Sequence, residues 1–360
     1  MPPKFLRTAI INLANGLSSR PDKKRVNKAL SKLCTAIQSG DTKKGLVISF
    51  DAMNNKFVIL SDQHKGARDG ADVFALAEKN YLAALAHYDR RNFYYINLGD
   101  SEELWENLFL TVKRHNKATF AAEQKFIDRR AFIKIFGNHD LYWDNDPLAG
   151  VSLQQIYGRK IPIYEGLILQ TKLGRGQLDI YLTHGHQGDL QSDGNWFSKW
   201  FVSDIWGPLE GWLKINPNTP ANNNQLKTAH NQMMYAWSSR RHNLLLITGH
   251  THQPVFKSLT HIEQLYEELQ ALKAGHDQSA IKAKEAEIDK RKKKGDQLPE
   301  FKGVLDSYFN SGCCCFDDGD ITGIELEGGQ IRLIKWKYSN GKKSRRIVLG
   351  ESKLSELKIG

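Results

Sequence analysis

The sequence predicts an α/β fold, in which strands and helices alternate between residues 45 and 250. Short apolar runs at residues 56–60, 92–98 and 132–136 have the length and composition of buried strands. Residues 73–88, between the first two runs, carry apolar side chains at three- and four-residue steps, which predicts a helix. Strands that alternate with helices are typical of layered α/β domains.

The remaining elements follow from the same patterns. Residues 5–38 carry apolar side chains at helical spacing, and residues 45–60 predict a strand, a turn and a second strand. A helix is expected to begin at Ser101, after the strand at residues 92–98. Further apolar runs predict strands at residues 178–183, 244–248, 321–326 and 331–338.

Two segments interrupt the alternation. Residues 190–240 hold five of the eight tryptophans, and residues 260–303 are charged and helical, with a turn expected around Gly275. We interpret both as insertions: residues 190–240 as an aromatic helical lid, with a helix pair packed on the body as the open alternative, and residues 260–303 as a charged helical hairpin. The predicted organisation is a basic N-terminal helical segment, residues 1–44, followed by one main domain, residues 45–360, that contains both insertions.

The net charge of +11 is concentrated in two segments. Residues 1–45 contain ten basic and two acidic residues, and residues 331–347 contain seven basic residues and no acid. The rest of the chain is therefore mildly acidic. Basic segments attract nucleic acid, anionic lipid or phosphorylated substrates. A solvated surface that keeps the protein soluble is the other interpretation, and the sequence leaves both open.

The chain has four cysteines, Cys34 and the run Cys313 to Cys315. Adjacent cysteines make a poor disulfide framework, so we expect a reduced, cytoplasmic setting, without excluding peripheral contact with a membrane. The run follows a predicted strand and turn, and its three thiols are expected to be structural. No apolar run is long enough for a membrane span, and residues 5–17 lack the pattern of a signal peptide.

Five short motifs carry the chemistry, each after a predicted strand. In the first, Asp62 and His64 are two residues apart and would share one face of a strand. In the second, Gly99 allows a turn that leaves Asp100 at the strand end. The third is the tetrad Gly137-Asn138-His139-Asp140. Asn138 supplies an amide oxygen for a hard metal, and His139 could act on a leaving oxygen.

The fourth and fifth motifs are two pairs of alternate histidines, His184 with His186 and His250 with His252. Neutral imidazole is a suitable ligand for transition metals. Each motif alone has a structural explanation, such as a polar strand end, a helix cap or a packed histidine. All five in order are better explained by one site, because strand ends of one sheet are neighbours in space.

This ordered set resembles the calcineurin-like metallophosphoesterase superfamily over residues 57–254, and residues 308–312 are similar to that family's closing strand and turn. The resemblance implies a four-layer α/β/β/α sandwich of two mixed sheets with helical insertions. It implies two metal ions, with Mn, Fe, Zn and Mg left open. The implied ligands of one ion are Asp62, His64, Asp100 and His252. Those of the other are Asp62, Asp100, Asn138, His184 and His250.

The implied reaction is hydrolysis of a phosphodiester, a phosphomonoester or a pyrophosphate bond by metal-activated hydroxide. His139 would be the catalytic histidine, oriented by Asp140. The substrate would be a phosphorylated small molecule, a nucleotide or a lipid-linked compound. Two alternatives remain: a nuclease or nucleotide phosphodiesterase guided by the basic termini, and a non-catalytic metal-bound scaffold.

A narrower resemblance lies in the segment from Gly99 to Trp105, which is similar to a motif of UDP-2,3-diacylglucosamine pyrophosphohydrolases. Those enzymes also have a helical insertion between the fourth and fifth motifs. They usually carry arginine at the position of His139 and aspartate at that of His186, so their substrate is not assigned here. Four residues are expected to bind substrate at the lid and its base: Trp196, Trp200, Phe201 and His186.

Overall fold

The computed structural model describes residues 22–70, 72–105, 107–174, 176–188, 224–274, 278–293, 305–339 and 343–360 of the 360-residue chain. The helices are α1 (Lys23–Gln38), α2 (Glu78–Arg90), α3 (Phe109–His115), α4 (Lys117–Asp128), α5 (Tyr142–Asn145), α6 (Ala149–Tyr157), α7 (Asn224–Ser238), α8 (His261–Ala274) and α9 (Gln278–Lys293). The strands are β1 (Gly45–Ser49), β2 (Phe57–Leu60), β3 (Tyr94–Leu98), β4 (Phe132–Ile135), β5 (Ile163–Tyr164), β6 (Gly166–Leu173), β7 (Gly176–Thr183), β8 (Leu244–Thr248), β9 (Val255–Phe256), β10 (Leu259–Thr260), β11 (Tyr308–Asn310), β12 (Ile321–Glu327), β13 (Gln330–Ser339) and β14 (Lys343–Lys353).

The strands form two mixed seven-stranded sheets. The first has the order β1-β6-β7-β8-β11-β9-β10, and the second has the order β14-β13-β12-β2-β3-β4-β5. In the second sheet, β2 to β5 are parallel, whereas β12 to β14 are antiparallel. In the first sheet, β7 is parallel to β8 and antiparallel to β6. The two strands predicted at residues 45–60 therefore belong to different sheets.

Alternate residues of β2 show why the molecule has four layers. Phe57 and Ile59 point into the core between the two sheets, where they meet side chains of β6, β7 and β8. Val58 and Leu60 point the other way and pack under α2 with Tyr81. All four β2 residues are buried, since both faces of the sheet are covered. The expected α/β/β/α sandwich is confirmed.

The outer face of the first sheet is covered by α1 and α7. Val26 and Leu30 of α1 share a buried cluster with Trp237 of α7 and Tyr181 of β7. The helix begins at Asp22, whose carboxylate accepts the Arg25 backbone N–H at 2.8 Å. The described part of the N-terminal segment is therefore packed on the sandwich. Residues 5–21 of the predicted helix lie outside the described residues.

The charged hairpin consists of α8 and α9, which bury apolar side chains between them: Leu265, Leu269, Ile281 and Ile288. The turn at Gly275 lies outside the described residues. Of the lid segment predicted at residues 190–240, the structure describes α7 and the residues that follow it, and residues 189–223 are outside its description. Within the described ranges, no helix is both long and apolar enough to cross a membrane.

The helix expected from Ser101 is wrong, because the next helix after β3 begins at Phe109. Glu102 instead pairs with Lys65 in an isolated parallel bridge. The buried Glu102 carboxylate lies 3.1 Å from Lys65 Nζ and 2.8 Å from Lys134 Nζ. The two buried lysines thus hold Glu102 beside the first motif. A helical turn at this position would move the Glu102 carboxylate away from both lysines.

Candidate metal centre

Five strands end on one side of the sandwich, and a predicted metal ligand follows each. In the second sheet, β2, β3 and β4 are parallel neighbours, so Asp62, Asp100 and Asn138 follow adjacent strand ends. In the first sheet, β7 and β8 are parallel neighbours, followed by His184 and His250. The sheets are joined here, since His184 Nδ1 lies 2.8 Å from the carbonyl oxygen of Leu98. The loops therefore converge on one pocket.

The two pairs of alternate ligands do not lie on strands. Asp62 and His64 come after the end of β2 and have φ values of 55° and 50°. His250 and His252 come after the end of β8, with φ values of 68° and 55°. The argument from strand alternation is therefore wrong for both pairs. Left-handed backbone turns these side chains into shared space, and it costs about 1–3 kcal/mol per residue, a strain typical of functional sites.

Two motif glycines are required by close approach of the pocket carboxylates. A Cβ atom at Gly137 would overlap Asp100 Oδ1, and one at Gly249 would overlap Asp62 Oδ2 and the Ser61 hydroxyl. The backbone of the third and fifth motifs therefore lies directly against the two aspartates. This contact explains why glycine precedes Asn138 and His250.

One group of ligands surrounds Asp62. Its Oδ1 lies 3.1 Å from His252 Nε2, and that nitrogen lies 3.1 Å from His64 Nε2. His64 Nε2 is also 3.8 Å from Asp100 Oδ2. Two ring nitrogens and two carboxylate oxygens thus point into one small volume. This donor set suits a divalent transition metal.

A second group surrounds Asp100. Its Oδ2 lies 3.1 Å from His184 Nε2, and ligand atoms of Asp100, His184 and His250 all lie within 4.8 Å of one another. Asn138 is buried, and its Oδ1 has no hydrogen-bond partner among the described residues. A buried amide oxygen without a partner is costly unless it coordinates an ion. The residues present therefore fit a metal at this position too.

The partners of the outer ring nitrogens determine which nitrogen faces the pocket. His64 Nδ1 lies 2.8 Å from the Glu103 carboxylate, and His184 Nδ1 lies 2.8 Å from the Leu98 carbonyl. A ring that donates from Nδ1 keeps Nε2 available for a metal. Both histidines are thus oriented before any ion binds.

Electrostatics of the pocket also favour cations. Burial opposes ionisation of Asp100, but His184 and His139 hold the pKa of its carboxyl well below its usual range. Burial lowers the pKa of His184, yet Asp100 and Asp62 raise it to about 9. Burial, with His230 and His184, holds the pKa of His250 well below its usual range. The pocket therefore holds anionic carboxylates and a neutral His250, and a bound cation would replace the proton on His184.

His139 lies at the edge of this pocket and is half-buried. Its Nδ1 is 2.8 Å from the Glu103 carboxylate, and its ring stacks on Trp105 with centroids 4.2 Å apart. Glu103 thus contacts both His64 and His139. The second motif supplied this residue, but spacing alone gave no sign that its carboxylate turns to the third motif.

The expected pairing of His139 with Asp140 is not what the structure shows. Asp140 is fully buried, and its two oxygens accept the backbone N–H groups of Gly137 at 2.5 Å and Ser101 at 2.9 Å. Burial raises the pKa of Asp140 to about 6, although Lys134 acts in the opposite direction. Asp140 therefore holds the third motif against the second, and Glu103 is the carboxylate beside His139.

A network of buried charges lies beneath the pocket. Lys65 Nζ is 2.7 Å from Glu123, and Lys134 Nζ is 2.8 Å from Glu102. Because Lys65 also contacts Glu102, the four side chains form one chain of alternating charge. No sequence pattern predicted it, since its members come from separate elements.

His186 and His230 lie beside the second group of ligands. His186 is buried with its ring 5.4 Å from that of His184, and burial lowers its pKa to about 3. His230 of α7 was not predicted; its Nε2 lies 2.8 Å from the Gly185 carbonyl, and its ring is 5.2 Å from that of His250. The other three predicted substrate contacts lie outside the described residues: Trp196, Trp200 and Phe201.

The chain matches a known protein family over its central region. A family model described as calcineurin-like phosphoesterase matches residues 55–254. The chain belongs to the calcineurin-like phosphoesterase family. A search of curated proteins gives no match. Among solved structures, vacuolar protein sorting 29 from Cryptosporidium parvum is similar with a TM-score of 0.31 and 14% identity, over 83% of this chain and 98% of that one.

Family and site together define the class of protein. Membership implies a metal-dependent hydrolase of phosphoric esters, and the described residues include the clustered histidines and aspartates that such chemistry requires. The narrower likeness to UDP-2,3-diacylglucosamine pyrophosphohydrolases is not among these findings.

Proposed function

We propose that this chain is a dinuclear metal-dependent phosphoesterase that cleaves a phosphodiester, phosphomonoester or pyrophosphate bond by direct attack of water. One observation carries the proposal: seven predicted ligands converge in one buried pocket, and one of them, Asn138, has a buried oxygen without a partner among the described residues. The seven are Asp62, His64, Asp100, Asn138, His184, His250 and His252.

Two divalent cations, when bound, would supply a nucleophilic water of lowered pKa and would neutralise charge on the phosphoryl oxygens. The Asp62 and Asp100 carboxylates lie within reach of both ligand groups and would help to hold both ions. Asp62 Oδ1 is 3.1 Å from His252 Nε2 in one ligand group and 3.9 Å from His184 Nε2 in the other. Asp100 Oδ2 likewise lies 3.1 Å from His184 Nε2 and 3.8 Å from His64 Nε2.

His139 is suited to donate a proton to the leaving oxygen. Its Nδ1 faces Glu103, so Nε2 is the nitrogen left for the substrate. Stacking on Trp105 restricts rotation of the ring, and the His139 backbone N–H donates to Asp100 Oδ1 at 2.8 Å. A positioned general acid contributes about 10²–10⁴-fold to such a reaction.

The substrate class is a further part of the proposal. The proposed substrate is a phosphorylated small molecule, a nucleotide or a lipid-linked compound. A nuclease has less support, because several cations of the basic C-terminal segment are already paired. Arg332 contacts Glu351, Lys335 lies 2.5 Å from Asp320, and Arg346 contacts Glu325.

The test combines metal analysis with a substrate panel. The purified protein is stripped with a chelator, reloaded with Mn²⁺, Fe²⁺, Zn²⁺ or Mg²⁺, and assayed for bound metal. Each form is then assayed with bis-p-nitrophenyl phosphate, p-nitrophenyl phosphate, UDP-sugars and single-stranded DNA. We expect two ions per chain and chelator-sensitive turnover of at least one of the small-molecule substrates.

Three other outcomes would contradict the proposal. One ion per chain would contradict the dinuclear site. Two bound ions without turnover of any substrate would favour the non-catalytic scaffold. Turnover confined to DNA, with binding that falls steeply as salt rises while metal is retained, would favour the nuclease.

A further inference from the structure

His252 presents its two ring nitrogens to different surroundings. Nε2 lies 3.1 Å from Asp62 Oδ1 and 3.1 Å from His64 Nε2, inside the first ligand group. Nδ1 lies 3.7 Å from Cys315 Sγ, which is within hydrogen-bonding distance for sulfur. The two nitrogens point in different directions from the imidazole, so Nε2 faces Asp62 and His64 while Nδ1 faces the sulfur.

The three adjacent cysteines occupy different positions. Cys314 is fully buried in the cluster under α2, and its Sγ lies 3.9 Å from the Thr322 carbonyl. Cys315 points toward the pocket instead, where its Sγ and ring nitrogens of His64 and His252 lie within 4.8 Å of one another. The expectation of a purely structural run therefore suits Cys314 better than Cys315.

The backbone fixes this sulfur relative to the metal loops. The Cys314 N–H donates to the carbonyl oxygens of Ser61 and Asp62, both at 3.1 Å. The Cys313 carbonyl accepts the Thr322 N–H at 3.0 Å, which ties the run to β12. The backbone of the cysteine run is therefore hydrogen-bonded to the first motif and to β12, which places Cys315 close to the loop that carries Asp62.

We propose that Cys315 is a positioning residue for metal binding. Its sulfur accepts the Nδ1–H of His252, and this contact keeps Nε2 unprotonated and directed at the ion held with Asp62 and His64. The inference rests on the proposed function, because it assumes that an ion binds there. It assigns His252 the kind of partner that Glu103 supplies to His64 and the Leu98 carbonyl supplies to His184. Such outer partners affect metal affinity by about 10–100-fold.

Cobalt titration of the metal-free, full-length protein tests this proposal without relying on activity. Bound Co²⁺ is followed by its visible absorption, and thermal unfolding of each apoprotein checks folding. In Cys315→Ala we expect one of two sites to weaken by about 10–100-fold, with the other unchanged. Cys315→Ser should recover part of the loss, since a hydroxyl also accepts from Nδ1–H. Cys314→Ala is the matched control and should bind like wild type.

Several results would overturn the proposal. If Cys315→Ala binds Co²⁺ at both sites with wild-type affinity, the role of Cys315 is contradicted, but the proposed dinuclear site is not. The Cys313 side chain also lies beside His252. A larger loss of Co²⁺ affinity in Cys313→Ala than in Cys315→Ala would therefore assign the positioning role to Cys313 instead. A sulfur-to-cobalt charge-transfer band lost in Cys315→Ser would make Cys315 a direct ligand. Wild type that binds no Co²⁺ would overturn the proposed function as well.

Discussion

The Glu103 carboxylate lies 2.8 Å from Nδ1 of His139. The same carboxylate lies 2.8 Å from Nδ1 of His64, one of the predicted metal ligands. Burial opposes ionisation of Glu103, but His139 and His64 lower its pKa to about 2. One ionised side chain therefore orients both a ligand and the proposed general acid.

Replacing Glu103 by glutamine should lower kcat by about 10–100-fold, the usual effect of losing such a partner. A carboxylate can accept from both rings, whereas an amide offers one oxygen and turns its NH₂ toward the other ring. Steady-state kinetics and metal content of Glu103→Gln check this expectation. Glu165→Gln, whose carboxylate pairs with Lys44 rather than with a histidine of the pocket, is the control. Unchanged kcat with unchanged metal would show that Glu103 has no positioning role.

His139→Ala should retain both metals but lose turnover. The loss should be about 10²–10⁴-fold for a substrate with an alkoxide leaving group, and smaller for nitrophenyl esters, whose leaving group needs little protonation. A series of esters of graded leaving-group pKa measures this difference. An equal loss across the series would rule out the acid role and leave only charge stabilisation.

Asp100→Asn should lose at least one metal and nearly all activity, with the fold kept. The substitution preserves shape but removes the negative charge that lies 3.1 Å from His184 Nε2. Elemental analysis measures the loss of metal, and circular dichroism checks that the fold is kept. Asp128→Asn, on the surface of α4, is the matched control. Full metal occupancy and normal rate in Asp100→Asn would contradict the site assignment.

Lys134→Met should destabilise the protein by about 3–5 kcal/mol, because it removes one cation from a buried ion pair. Burial opposes ionisation of Glu102, but Lys134 and Lys65 lower its pKa to about 2. A carboxyl whose pKa is lowered by folding stabilises the fold at pH values above its pKa in the unfolded chain. That stabilisation is lost as the pH falls toward 2. The difference in free energy of unfolding between the variant and wild type should therefore become smaller below about pH 4.5.

Urea unfolding of Lys134→Met at several pH values measures both effects. The control is Lys125→Met, since Lys125 is exposed on α4. A loss below about 1 kcal/mol at neutral pH would mean that Lys65 alone balances Glu102, and the network would not be cooperative.

The aromatic insertion is expected to act on substrate binding. The segment begins shortly after His184, and its described helix α7 brings the His230 ring to 5.2 Å from that of His250. Replacing Trp200 and Phe201 by alanine should raise KM for the best substrate of the panel while scarcely changing turnover of p-nitrophenyl phosphate. Equal losses with both substrates would contradict a lid that binds the apolar or base-like part of the substrate.

The sequence by itself predicted the α/β layering and the motif residues that the structure brings together, but not the contacts of Glu103, His230 and Cys315 beside them. The reason is physical: buried parallel strands are short apolar runs, and ligands at their carboxyl ends converge whenever the strands are adjacent. Strands of mixed polarity, such as β6 and β14, lacked that pattern and were not predicted.

Only the tertiary structure decided how the ligands are held. No periodic pattern in the sequence predicts the left-handed backbone conformation of Asp62 and His64. The choice of Glu103 over Asp140 as the partner of His139 depends on how two loops from different strands meet. The contact between His252 and Cys315 joins positions 63 residues apart. Sequence periodicity reports which face a residue occupies within its own element, whereas these contacts depend on where separate elements are brought together by packing.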